Sequence, residues 1–290
     1  MEHNAVIERL GLGPGDKAVI VHVDDVGMCH ATIPAALDLV ERGTVSSLSL
    51  MAPCPWFDAA VEALAAVEVD LGVHLTLTSE WRQYRWSPLT PHPELRDDAG
   101  RFPHTCEQVQ GQASPEAVRG ELEAQIDAAS TLSLTHVDSH MGAIATPDLL
   151  PVAVEVALDR GLVPFVPRWD APAWRRLGLD AASAERAADH IARLAQSGLP
   201  MVDHVRSLPL DHADDHRGYL LRLLDELPPG VTHLYCHPAL DTPELRAICP
   251  DWAARVENHA ALASDGLAAD FARRGVTLTT YGALREAMRP

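Results

Sequence analysis

Positive charge is scarce in this chain. Against 41 Asp and Glu it carries only 23 Lys and Arg, and Lys17 is the sole lysine. We read the near-absence of lysine as compositional bias of the genome. The net charge of −18 at pH 7 repels phosphate backbones and anionic lipid, so neither nucleic acid nor a membrane surface is an expected partner. Cysteine is also sparse. Cys29, Cys54, Cys106, Cys236 and Cys249 show no C-x-x-C spacing, which excludes a disulfide framework and a thiolate zinc site. No apolar run reaches the roughly 18 residues that a membrane span needs. Met1-Glu2-His3-Asn4 lacks a basic start followed by an apolar stretch, so no signal peptide is expected and the cytoplasm is the expected compartment.

What is present is ordinary globular material. At 47% hydrophobic and 22% charged residues the chain has no room for long disorder, and 290 residues suffice for a large core. Short apolar, β-branched runs alternate with amphipathic stretches. Strands are expected over residues 17–23, 45–51, 70–77, 135–138, 162–166, 232–236 and 276–280, with a further segment at 201–205. Helices are expected over 33–42 (stopped at Gly43), 57–67, from Ser114-Pro115-Glu116 onward, 149–160 (stopped at Gly161), 184–196, 219–226 and across 252–274. About seven β/α units without a linker predict one α/β domain over 1–290, a closed or nearly closed (β/α) barrel of TIM type; an open doubly wound sheet is the competitor. Residues 79–113, with Pro88, Pro91, Pro93 and Pro103, break the rhythm and are expected to form a lid over the C-terminal ends of the strands.

Metal-capable residues cluster at the ends of those strands. They are Asp24-Asp25, His74, Asp138-Ser139-His140 and His237-Pro238. One carboxylate and two imidazoles from three strands make three ligands with an open fourth position, the pattern of catalytic metal sites. A neighbouring carboxylate can take the proton of a water, and His237 can donate one to a leaving group. His22 and His136 fall out of phase with these positions and are expected to face the helices. His204, His212 and His216 lie in an Asp-rich loop, read as solvated. Cys236 is read as packing.

The blocks HVDDVGMCHATIPAALDLVERGTVSSLSLMAPCPWFDAAVEAL, LGVHLTLTSEW, THVDSHMG, YCHPA, RVENHAAL and LTTYGALREAM resemble, in order, the YdjC-like (ChbG/HpnK-type) carbohydrate deacetylase family. The resemblance is weakest over 82–112 and 169–198. It implies a TIM-barrel-like fold and hydrolysis of the N-acetyl group of an amino sugar by a divalent metal with an Asp-Asp pair. By position it makes Asp24 the general base, Asp25, His74 and His140 the metal ligands, and His237 the acid that protonates the departing amine. Asp138 then either orients a ligand or caps its strand. Arg168 either steers the base or a substrate oxygen or forms a surface ion pair, while Trp81, Tyr84 and Trp86 either stack on a sugar or anchor their loop.

One departure stands out. Family members read DSHQHVH, whereas here Met141-Gly142-Ala143-Ile144 follows His140. The ligand set implies zinc first, with Mn, Co or Ni also suited and Mg less so. The expected partner is a small N-acetylated carbohydrate, with a homodimer left open. Two alternatives stand beside the deacetylase: a barrel that has lost catalysis and binds a sugar-like ligand, and a metal-dependent hydrolase of non-sugar amides or esters.

Overall fold

The computed structural model describes residues 8–288; Met1–Asn4, considered above for targeting, lie outside the described residues. Strand β1 (Lys17–Val26) sets the plan through its two-residue alternation. Val19, Val21 and Val23 face an outer cluster shared with the helices, while Ala18 and Ile20 face an inner cluster with Val163, Val202, Val231, Tyr281 and Leu284. Around β1 stand β2 (Ser47–Leu50), β3 (Asp70–Leu75), β4 (Leu134–Ser139), β5 (Val163–Pro164), β6 (His204–Ser207), β7 (Gly230–Cys236) and β8 (Val276–Leu278). The sheet order is β5-β4-β3-β2-β1-β7-β6, with β8 paired to the first residues of β1, and every pairing is parallel.

The closed barrel expected from the sequence is corrected to a curled half-barrel. Its edge strands β5 and β6 share no ladder. Among the described residues a single bridge, Pro167 to Val202, spans the seam. The reason is local: β5 is two residues long, and Pro164 and Pro167 have no N–H to donate.

The helices that cover the sheet are α1 (Thr32–Glu41), α2 (Phe57–Leu64), α3 (Cys106–Gln112), α4 (Pro115–Ala128), α5 (Leu150–Asp159), α6 (Ala171–Arg176), α7 (Ala181–Gln196), α8 (His216–Glu226), α9 (Pro243–Ile248), α10 (Trp252–Leu262), α11 (Leu267–Arg273) and α12 (Tyr281–Ala287). Ser114 caps α4 through Ala117 N with Pro115 at the first turn, as the sequence predicts. The single helix expected over 252–274 is two, broken at Gly266 with φ 78°. No helix among the described residues is long and apolar enough to cross a membrane.

Residues 79–113 are no loose lid. Leu95 and Phe102 are fully buried, Ser79 N donates to Pro103 O, and Glu121 accepts from the backbone of Leu89 and Thr90. These bonds pin the segment to the body, and α3 forms within it.

The interior of the curl also corrects the placement of His22 and His136. Both are fully buried inside it, not against the helices. His22 sits two residues before Asp24 and His136 two before Asp138, so each shares the inward face of its strand. His136 stacks on Tyr281 at 4.0 Å and meets His22 edge-on at 5.0 Å. Gly72 makes room for it, since a Cβ there would stand 2.5 Å from His136 Nε2.

Candidate active site

Consecutive residues in a strand point to opposite faces, so Asp24 and Asp25 reach one site only if β1 breaks its pleat. It does. The pairing with β2 slips between Val23 and Val26, and Asp25 takes φ 63°. A bulge with a left-handed residue turns the second carboxylate inward, and Asp tolerates that conformation better than most residues. The second irregularity is at Met141, φ 54°, directly after His140. Of the non-glycine residues with positive φ among those described, only Asp215 lies away from the site.

One ligand-capable atom from each of Asp25, His74 and His140 lies within 4.8 Å of the others, all three residues being buried. Asp25 Oδ1 stands 3.4 Å from His74 Nε2 and 3.2 Å from His140 Nδ1, yet it takes part in no directed hydrogen bond. The atoms on the far side of each ligand are all held. Arg255 Nη1 donates to Asp25 Oδ2 at 2.7 Å, His74 Nδ1 lies 3.0 Å from Asp138 Oδ2, and His140 Nε2 lies 3.1 Å from Glu80 Oε2. A carboxylate behind each imidazole fixes its tautomer and leaves the other nitrogen free for a cation. The donor set and the unsatisfied oxygen therefore fit a divalent metal.

The charges agree with that fit. Burial raises Asp25, but Arg255 and the neighbouring His140 and His74 imidazoles outweigh it and hold the carboxyl well below its usual range. Burial lowers His140, but Glu80 and Asp25 lift it to about 9; His74 is raised by Asp138 and Asp24 in the same way. The imidazoles attract positive charge because four carboxylates surround them with one guanidinium.

Asp24 and His237 stand beside this cluster, with His237 Nε2 3.7 Å from Asp24 Oδ2. Burial pushes Asp24 up to about 7 and His237 down to about 3. His237 Nδ1 is buried without a partner, and its backbone N–H donates to Asn258 Oδ1. Asp24, His237 and the cluster with its Arg255, Asp138 and Glu80 partners line one cavity of about 570 Å³, within the range of small-molecule pockets.

The other expected residues distribute as follows. Asp138 accepts from Ser49 Oγ at 3.0 Å and ties His22 and His74 together. Trp81 lines the cavity with Arg255 over its ring at 5.5 Å. Trp86 is buried, donates to Thr78 O and anchors its loop; Tyr84 donates to Met28 O. Arg168 pairs with Asp203 at 3.3 Å and is not among the cavity-lining residues. His216 is buried and bonded to Asn258 and His212 O. Sequence reasoning missed Glu80 and Arg255. Both sit inside blocks that carry the resemblance, but neither lies at a strand end, where the search for ligands was made.

Known proteins place the chain. A model of the YdjC-like protein family matches residues 18–273. A carbohydrate deacetylase of Thermus thermophilus is 38% identical over 267 residues, 89% of this chain and 90% of the relative. A carbohydrate deacetylase of Geobacillus stearothermophilus is 29% identical over 271 residues, 90% and 96% of the two chains. Among solved structures, a candidate cellobiose-phosphate cleavage protein of Enterococcus faecalis superimposes with a TM-score of 0.74 at 25% identity, covering 93% of this chain and 99% of that one. With the match running from the first strand to the last helix before β8, the chain belongs to the YdjC-like protein family.

Proposed function

We propose that this chain hydrolyses the N-acetyl group of an amino sugar, using one divalent cation held by Asp25, His74 and His140, with zinc first on ligand type. The observation that carries the reading is the asymmetry of that cluster: Asp25 Oδ1 is buried without a hydrogen bond where it faces His74 Nε2 and His140 Nδ1, while the outward atoms are tied to Arg255, Asp138 and Glu80. The shared name of the relatives, carbohydrate deacetylase, supports the sugar.

A cation bound there would supply Lewis-acid polarisation of the acetamide carbonyl and of a water. The remaining work falls to the chain. Asp24, poised near neutrality by burial, takes a proton from the attacking water. The water oxygen joins the carbonyl carbon, the C–N bond breaks, and acetate and a free amine leave. His237 enters neutral, so it gives a proton to the departing nitrogen only after receiving one, and Asp24 Oδ2 is its neighbour for that exchange. Arg255 keeps Asp25 ionised, while Asp138 and Glu80 hold the two rings.

The test combines metal analysis of protein purified without added metal with an acetate-release assay on N-acetylglucosamine and its oligomers. The expected result is close to one cation per chain together with acetate. Metal-loaded protein that releases no acetate from any N-acetylated sugar overturns the reading.

A further inference from the structure

Directly beneath the site the inside of the curl is polar. Inward positions of a parallel barrel are ordinarily filled by branched aliphatic side chains. Here β1, β2 and β4 place His22, Ser47, Ser49 and His136 there, all fully buried. Polar groups in such a layer cost stability unless they hold one another, so the direction of each bond shows what the layer holds in place.

His22 is the centre of the layer. Its Nδ1 is taken by the hydroxyl of Ser47, which lies opposite it in the register of β1 and β2. Its Nε2 lies 2.9 Å from Asp138 Oδ2, 3.0 Å from Ser49 Oγ and 3.3 Å from Asp24 Oδ1. Two carboxylates around one nitrogen assign the proton to Nε2, and the Ser47 hydroxyl then donates to Nδ1. His136 meets the ring edge-on at 5.0 Å and His233 packs at 4.9 Å.

The two carboxylates depend on that N–H unequally. Asp138 Oδ2 also accepts from Ser49 Oγ at 3.0 Å and faces His74 Nδ1 at 3.0 Å. Asp24 Oδ1 is buried without a directed hydrogen bond, and the His22 N–H is the donor beside it. The Asp24 side chain keeps 10% of its surface accessible, and its other oxygen, Oδ2, is the one that faces His237 Nε2 at 3.7 Å. His22 itself has no accessible surface and is not among the residues lining the cavity that Asp24 lines.

We propose that His22 is a positioning residue for the hydrolysis. Its Nε2–H, set between Asp24 Oδ1 and Asp138 Oδ2, holds the inner oxygen of Asp24 and so aims Oδ2 at the attacking water and at His237. The proposal rests on Asp24 as the base of the deacetylase reading. A base fixed through its non-reacting oxygen presents the reacting one at a constant place, and orientation of that kind is a large part of what a catalytic group contributes. No proton passes through His22.

The experiment compares His22→Gln with His22→Asn in metal-loaded protein. A Gln side-chain amide extends to the place of Nε2, whereas an Asn amide ends near the place of Nδ1 and meets Ser47 only. Kinetics of acetate release from the N-acetylglucosamine monomer and trimer are read together with metal affinity in a chelator competition. A positioned base is worth about 10²–10⁴ in rate and a group that orients a site residue about 10–100-fold, so His22→Asn is expected to lower kcat by the smaller factor. KM is expected to stay at its wild-type value, because His22 lies outside the cavity wall. Metal affinity is expected to stay there too, because Asp138 keeps Ser49 and His74. His22→Gln is expected to recover most of the lost kcat.

Equal losses in the two variants would show that the packing of the ring matters and its N–H does not, which overturns the proposal. Wild-type kcat in His22→Asn overturns it as well. Loss of metal in His22→Asn overturns it by placing the effect on His74 through Asp138. Should His22→Asn not fold, Ser47→Ala releases the ring from its other side; a fall in kcat at constant KM supports the proposal, and wild-type kcat overturns it. If the wild-type protein releases no acetate from either sugar, the deacetylase reading falls by itself, and crystal structures of the wild type and His22→Asn decide the positioning. A carboxylate of Asp24 turned away from His237 in the variant supports it, and an unmoved one overturns it.

Discussion

Two triads of buried, ligand-capable residues lie side by side in the curl, Asp25/His74/His140 and His22/Asp24/Asp138. By residue type and proximity they are alike, and Asp138 touches both. They differ in how their atoms are used. In the second triad His22 Nε2 bonds Asp138 Oδ2 at 2.9 Å and meets Ser49 Oγ at 3.0 Å, while His22 Nδ1 bonds Ser47 Oγ. Both nitrogens of His22 are thus taken, so a cation there would have to break hydrogen bonds already made, even though Asp24 Oδ1 and Asp138 Oδ1 make no directed hydrogen bond. In the first triad the nitrogens facing Asp25 Oδ1 are not taken by such hydroxyl bonds, and the opposite atom of each ligand is held by Arg255, Asp138 or Glu80. Proximity of ligands alone does not make a metal site; the direction in which each ligand is held decides it.

The strongest way to break this comparison is His140→Ala. It removes a ligand from the first triad and touches nothing in the second, so bound metal and acetate release are both expected to vanish, read by elemental analysis and by assay. A metal content unchanged in His140→Ala but lost in His22→Gln would transfer the site to the other triad. Asp24→Asn comes next. It is expected to keep the metal while turnover falls by about 10²–10⁴, the usual worth of a positioned base. Asp138→Asn weakens the hold on His74 without removing a ligand, and metal affinity is expected to drop by about 10–100-fold in a chelator competition.

A smaller effect probes how the second triad is packed from below. Gly72→Ala drives a Cβ into the His136 ring, which Tyr281 backs on its face and His22 at its edge. Overpacking of this kind costs about 1–3 kcal/mol, so denaturant unfolding is expected to shift while metal content stays at its wild-type value. An unshifted midpoint would show that the imidazoles beneath the site have room to move.

The parallel α/β plan and most strand positions were legible because period-two apolar runs and Ser/Thr/Pro/Gly punctuation are local signals. The ligand candidates were legible for the same reason: they stand where strands end. What escaped was whatever depends on contacts distant in sequence. At the open seam only Pro167 meets Val202, across a two-residue β5, and no periodicity reports an edge that fails to pair. The inward placement of His22 and His136 was in fact legible, since His22 lies two residues before Asp24 and His136 two before Asp138; reading them as helix-facing miscounted the strand period. Arg255 reaches Asp25 across 230 residues of chain, and a buried arginine on a helix carries no mark in the sequence. The short helices α3, α6, α9 and α12 did carry marks, with Thr105, Asp170, Thr242 and Thr280 each capping one. Their length hid them, since six or seven residues are too few to show a helical period.

The smallest expected effect separates Arg255 from the arginine that sequence position favoured. Arg168 follows a strand end as the site residues do, but its guanidinium meets Asp203, whose other oxygen accepts from Val231 N at 2.9 Å and so holds the start of β7. That carboxylate keeps its backbone bond when Arg168 is removed, and a partly exposed ion pair contributes about 0–1 kcal/mol. Arg168→Ala is therefore expected to lower stability by no more than that, with acetate release within about twofold of wild type. Arg255→Ala behaves otherwise. Its partner Asp25 is 1% exposed, and leaving a buried carboxylate uncompensated costs about 3–5 kcal/mol, so unfolding curves of the two variants measured together rank the arginines. Equal losses in stability and turnover for both would mean that Arg168 reaches the site by a route its contact with Asp203 does not reveal.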